Sequence, residues 1–169
     1  MDAGKIISEL GRNKRIFGDL LENSTPEVYS WKQTQEKWNL LEIVCHLLDE
    51  EREDFGARVK STLEDPKQSL SPIDPQGWVV SRKYNERDYN ETLNAFLDER
   101  TKSVKRLEEL KSPNWENEHV HPTLGPMTAG KFLTNWLAHD YLHIRQIIKL
   151  KYDYLAASVG EDLSYAGNW

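Results

Sequence analysis

The chain has 169 residues, a length that suits one domain spanning 1–169 with a full apolar core and no staples. A net charge of −6 without any basic run excludes nucleic acid as the expected partner, and no apolar run approaches the roughly 20 residues a membrane span needs. The single cysteine, Cys45, rules out an intrachain disulfide and fits a reducing, cytoplasmic setting.

The first predicted element is 3–23, where Ile6, Ile7, Leu10, Phe17, Leu20 and Leu21 recur at helical spacing before Asn23-Ser24-Thr25-Pro26 stops it. A second helix covers 38–61, with Leu40, Leu41, Ile43, Val44, Leu47, Leu48 and Phe55 on one face. The acidic run Asp49-Glu50-Glu51-Arg52-Glu53-Asp54 reads as its solvated side, and Cys45 as a small core residue. Residues 62–88 hold Pro66, Pro72, Pro75 and Gly77 with no sustained period, which makes a long connection. A third helix follows at 89–111. The linker 112–127 contains Pro113, Pro122, Gly125 and Pro126, and a fourth helix runs from Thr128 to 154. The tail from Ala156 to Trp169 has room for a short helix. No strand pattern stands out. All-α is therefore the fold class, a four-helix bundle; with two long connections, at 62–88 and 112–127, a bundle containing a crossover is favoured.

Histidines carry the chemical signal. His139 and His143 are four apart, so both rings can reach one point from a single helix face, which His143 shares with Phe132, Trp136, Ile147 and Leu150. His46 sits at the rim of the apolar face of the second helix. Two ligands from one turn and a third from a facing helix can hold a divalent metal with positions left open. Glu42 and Glu50 lie one turn either side of His46. Glu42 and Gln146 are candidates to orient ligating rings, and Glu50 is the candidate acid–base group. His119 and His121 read as a solvated loop, and Trp38 and Trp136 as core aromatics. Because ligating rings must be neutral, metal binding is expected to weaken below pH 6.5 or so.

Two blocks resemble one known family. Trp38-Asn39-Leu40-Leu41-Glu42-Ile43-Val44-Cys45-His46-Leu47 is similar to the opening motif of the DinB-like (damage-inducible) superfamily, and His139-Asp140-Tyr141-Leu142-His143-Ile144-Arg145-Gln146-Ile147 to its closing motif. Asp74-Pro75-Gln76-Gly77-Trp78 and Tyr84 between them are also similar to family sequences. The resemblance implies an up-down-down-up bundle with nickel or zinc held by His46, His139 and His143. It further implies a choice of activities. The leading one is an S-transferase that activates a low-molecular-weight thiol for attack on a small electrophile, with Arg145 or Arg82 to hold the thiol's carboxylates. The site itself leaves open an alternative, a metal-dependent hydrolase with Glu50 or a nearby carboxylate as base. A non-catalytic metal- or ligand-binding protein, dimeric and acting in a stress response, is the third.

Overall fold

The computed structural model describes residues 1–121 and 123–167; Pro122 and Trp169, cited above in the linker and the tail, lie outside the described residues. Seven helices and one hairpin follow each other as α1 (Ala3–Leu21), α2 (Pro26–Tyr29), α3 (Leu40–Glu53), α4 (Phe55–Glu64), α5 (Pro75–Ser81), α6 (Tyr89–Glu108), β1 (Glu118–His121), β2 (Gly125–Thr128) and α7 (Ala129–Val159). Four helical columns, α1, α3 with α4, α6, and α7, form the bundle.

Their directions follow from who touches whom. Asn13 bonds Asp140 and Lys151 bonds the carbonyl of Leu20, so α1 and α7 are parallel. Arg100 reaches the carbonyl of Leu10 while Tyr89 reaches that of Leu21, so α6 runs against α1. Asn39 meets Asn85 and Glu51 meets Arg100, so α3 runs with α6. The chain order is up, down, down, up. Because α3–α4 and α6 are parallel neighbours, the chain must return the length of a column between them, and residues 65–88 make that crossover.

Several elements depart from the sequence expectation. The helix expected over 38–61 is two helices, broken at Asp54 (φ −110°, ψ −97°). Just past the break, Gly56 lets the backbone lie against Trp136: a Cβ there would stand 3.2 Å from the indole. The crossover contains α5, started by the Asp74 cap and Pro75, and a 3-10 turn at Tyr84–Glu86. The linker holds an antiparallel hairpin with Glu118 opposite Thr128. Four-residue strands are too short to show an alternation, and Gly125 supplies the positive φ their turn needs. The fourth helix continues past 154 to Val159, where Gly160 in the left-handed region caps it.

Two apolar clusters fill the bundle. One gathers Phe17, Leu21, Ile43, Phe96 and Ile147, the other Leu10, Val59, Leu107, Leu133 and Trp136. Between them each column contributes one buried polar residue: Asn13, Glu51, Arg100 and Asp140. The Arg100 guanidinium donates to Asp140 at 2.6 and 2.8 Å and to Glu51 at 2.9 Å, and Trp136 Nε1 donates to Glu51 at 3.2 Å. The reading of 49–54 as a solvated face is thus corrected. Asp49, Glu50, Glu51 and Asp54 are buried, as is Arg58 beyond them: Tyr84, Arg82 and Arg87 come from elsewhere to meet Asp49, Arg100 meets Glu51 and Arg58 meets Asp54, while Glu50 keeps one oxygen unpartnered.

Candidate metal centre

The α3 end is pinned by a capping box. Asn39 Oδ1 accepts from the Glu42 amide at 2.8 Å, and Glu42 accepts from the Asn39 amide at 2.9 Å. Two turns further along, His46 faces α7, whose own start is fixed by Thr128 accepting from the Lys131 amide. The Nε2 atoms of His46 and His139 are 3.2 Å apart, and those of His139 and His143 are 3.0 Å apart. His46 and His143 are buried, their Nδ1 atoms without hydrogen-bond partners. Trp38 packs on His46 and Phe55 on His139, each with ring centroids 4.9 Å apart.

Three imidazole nitrogens converging with no carboxylate between them is a donor set in search of a cation. Ligand nitrogens about 2.0–2.1 Å from one zinc ion in tetrahedral geometry stand about 3.3 Å from each other, close to the separations here. The residues present therefore fit a divalent ion, as the sequence led us to expect.

Burial, first of all, keeps the rings neutral. It pushes His46 down to about 3, His139 to about 2 and His143 to about 4; neighbouring rings add to the effect on His46 and His139, while Gln146 and Asp140 oppose it on His143. Burial thus shifts proton competition for the folded chain's rings from the 6.5 of the free side chain to about pH 4 and below.

An open cleft of about 670 Å³ leads to the three histidines. Glu50, Asp54, Trp38, Gln76, Arg145 and Gln146 are among its lining residues. Glu50 is buried with Oε1 unpartnered, and its carboxyl is pushed up to about 8, chiefly by burial and then by its hydrogen bond to Asp54. Asp54 is in turn tied to Arg58. Glu42 does not orient His46: its carboxylate is taken by the Asn39 amide, by Lys32 at 2.7 Å and by Asn85 at 2.8 Å. Gln146 lines the cleft beside His143, whose pKa its side chain works to raise.

The remaining candidates sort as follows. Cys45 is fully buried, its thiol pushed up to about 12 by desolvation, which suits a core residue and no nucleophile. Trp136 is core, but Trp38 is half-buried and forms a wall of the cleft. His119 is not solvated: it is buried in β1 with Nδ1 3.2 Å from the carbonyl of Pro66. His121 Nδ1 accepts from the amides of Thr123 and Leu124 in the hairpin turn. Arg82 is engaged by Glu53 and Asp49, stacks over Trp78 and is not among the residues lining the cleft. Sequence reading missed Asp54, Phe55 and the Arg100 network. Arg100 was signalled by its position in the stripe Leu93, Phe96, Arg100, Leu107, where an apolar residue would be ordinary.

These titrations make a stability prediction. The unfolded chain binds protons at its histidines below about 6.5, whereas the folded rings refuse them until pH 2–4. Their contribution is fully present above 6.5 and is lost as pH falls, at up to ~1.4 kcal/mol per pH unit for each ring. Glu50 acts in the opposite sense, since its folded pKa is raised: its contribution is complete below about 4.5 and is lost as pH rises through about 8. Melting of the metal-free protein should therefore show greatest stability near neutrality, with the steeper fall on the acid side. A melting temperature unchanged between pH 7 and 5 would contradict this burial of the rings.

A helical bundle with three histidines at the foot of an open cleft defines a class, and the comparisons with known proteins name it. Residues 9–147 match the model of the DinB superfamily, and the chain belongs to that superfamily. Its structure is similar to that of YfiT from Bacillus subtilis, described as a probable metal-dependent hydrolase with an unusual four-helix bundle topology. The TM-score is 0.78 at 19% sequence identity, over 95% of this chain and 89% of that one, so the likeness is one of fold. No curated protein matches the sequence significantly. No helix among the described residues is long and apolar enough to cross a membrane.

Proposed function

We propose that this chain holds a divalent ion, nickel or zinc, on His46, His139 and His143, and that it is an S-transferase joining a low-molecular-weight thiol to a small electrophile. The observation that carries the reading is the convergence of three Nε2 atoms at an open cleft large enough for small molecules. Neutral imidazoles leave such an ion its full charge, and it would supply stabilisation of a thiolate at neutral pH. The chain's own part is to hold the rings neutral, to wall the cleft with Trp38, to back the His139 ring with Phe55, and to keep a proton on Glu50. For an epoxide electrophile, the S–C bond forms as the C–O bond breaks, and the Glu50 proton passes to the departing oxygen. The proton lost by the thiol then restores Glu50.

A hydrolase is the second reading, favoured by the fold likeness to YfiT and by the buried carboxyl at the cleft. There Glu50 would serve as base once it has lost its proton. Elemental analysis of the purified protein, then titration of the cobalt-loaded protein with thiols, separates the two. A sulfur-to-cobalt charge-transfer band with turnover of an epoxide or chlorinated aromatic supports the transferase. No thiol response, with turnover of esters or amides, supports the hydrolase. Under either reading Glu50→Gln should lower kcat by about 10²–10⁴-fold while the metal content stays at the wild-type value; unchanged turnover would remove Glu50 from the chemistry. A small-molecule partner, residence in a reducing cytoplasm and a homodimer belong to the same proposal.

A further inference from the structure

The cleft does not end at the histidines. A second cavity of about 420 Å³ adjoins it, and the two share Lys37, Trp38, Arg145 and Gln146 as a common rim. Around this rim cations are treated unequally. Lys149 is paired with Asp153, Arg58 with Asp54, Lys32 with Glu42, and Arg82 with Glu53 and Asp49. Arg145 and Lys37, both exposed, make neither an ion pair nor a side-chain hydrogen bond to any described residue. Among the described residues, the other carboxylates lining the cleft are Glu36, exposed beside Lys37, Glu50, buried with its carboxyl pushed up, and Asp54, already tied to Arg58. In a chain of net charge −6, two unneutralised cations flanking an indole at the mouth of a cleft make a local positive field.

We propose that Lys37 and Arg145 form a subsite for the acidic group, carboxylate or phosphate, of a small co-substrate that lies along Trp38 with its reactive end at the histidines. The guanidinium offers a planar fork to two oxygens of such a group, and the ammonium adds a point charge. The subsite rests on the reading of the cleft as the place of reaction. It also chooses among thiols: acidic ones are admitted in preference to neutral ones, because the neutral ones leave both cations as they are in the empty cleft.

Two measurements test this. Calorimetry on metal-free protein at low salt uses succinate and inorganic phosphate as probes, with no thiol and no metal involved. Either anion should bind the wild type and bind the Lys37→Gln, Arg145→Gln double variant at least tenfold more weakly, and the tighter of the two tells which acidic group is preferred. In the second measurement the cobalt-loaded protein is titrated with mercaptosuccinate and with 2-mercaptoethanol, reading the charge-transfer band. Mercaptosuccinate should be about tenfold tighter, 0.5 M salt should erase most of the difference, and the double variant should bring the ratio close to one. An advantage that persists in the double variant comes from the thiol's own chelation and overturns the subsite, as does equal anion binding by wild type and variant. Should the anions bind as expected while no thiol perturbs cobalt, the subsite stands and the thiol-transferase reading falls.

Discussion

His143→Ala is expected to bring bound metal down to background while the helical circular dichroism stays at its wild-type level. Of the three rings, His143 and His139 come from one turn of α7, and His46 comes from α3. Deleting one leaves two nitrogens and a void. Losing a hydrogen-bond partner behind a ligand already costs about 10–100-fold in affinity, so losing the ligand itself should cost more. The second readout is thermal. Metal at a hundredfold excess over Kd stabilises the folded chain by about 2.7 kcal/mol, which for a chain of this size raises Tm by roughly 5–10 °C. Wild type should show that rise at pH 7.5 and lose it with chelator; the variant should melt identically with and without metal. A full equivalent of metal on His143→Ala would mean that the ion sits elsewhere.

The largest expected effect on stability lies one layer away. Arg100→Met leaves Glu51 and Asp140 facing each other in a region where Arg100 is 1% and Asp140 0% exposed. Burial already pushes the Glu51 carboxyl above the usual range despite Arg100 beside it, and without that cation both acids lose their main partner. Removing one member of such a buried pair costs about 3–5 kcal/mol, a large share of the 5–15 kcal/mol typical of a folded domain. The urea midpoint should drop by about 2 M for a slope near 2 kcal/mol per M. Replacing all three charges together (Glu51→Leu, Arg100→Met, Asp140→Leu) removes the stranded acids and should recover part of the loss, although Trp136 and Asn13 then lack acceptors. A single variant as stable as wild type would show that the polar layer contributes nothing to stability.

The contrast between what could and could not be read from the residues has a physical pattern. The four columns were legible because each carries an apolar stripe at helical spacing, and His139 and His143 because four residues make one turn. His46 was legible as a rim position, and the structure does bring it within 3.2 Å of His139. The acids of 49–54 were misread because local polarity predicts exposure only when partners are absent, and Tyr84, Arg87 and Arg100 are 35 to 49 residues away in sequence from the acids they meet. Glu42 was assigned to the wrong neighbour although Asn39 and Glu42 stand at capping-box spacing, a signal that competes directly with the histidine. The break at Asp54 left no mark, since neither proline nor a glycine pair announces it.

The crossover has a consequence for the order of events during synthesis. His46 and His139 lie 93 residues apart, and α1 finds its parallel neighbour α7 across 127 residues between Asn13 and Asp140. At a synthesis rate of about 5–20 residues per second, some 5–20 s separate the emergence of the first histidine from that of the other two. Through that interval α1, α3–α4 and α6 can pair with one another, but the column that closes the ring is still missing. A nascent chain therefore carries an open apolar seam and only one of the three clustered imidazoles. On the proposed metal reading, an ion held by all three rings would bind only after α7 has docked, so occupancy of the three histidines would report completed folding.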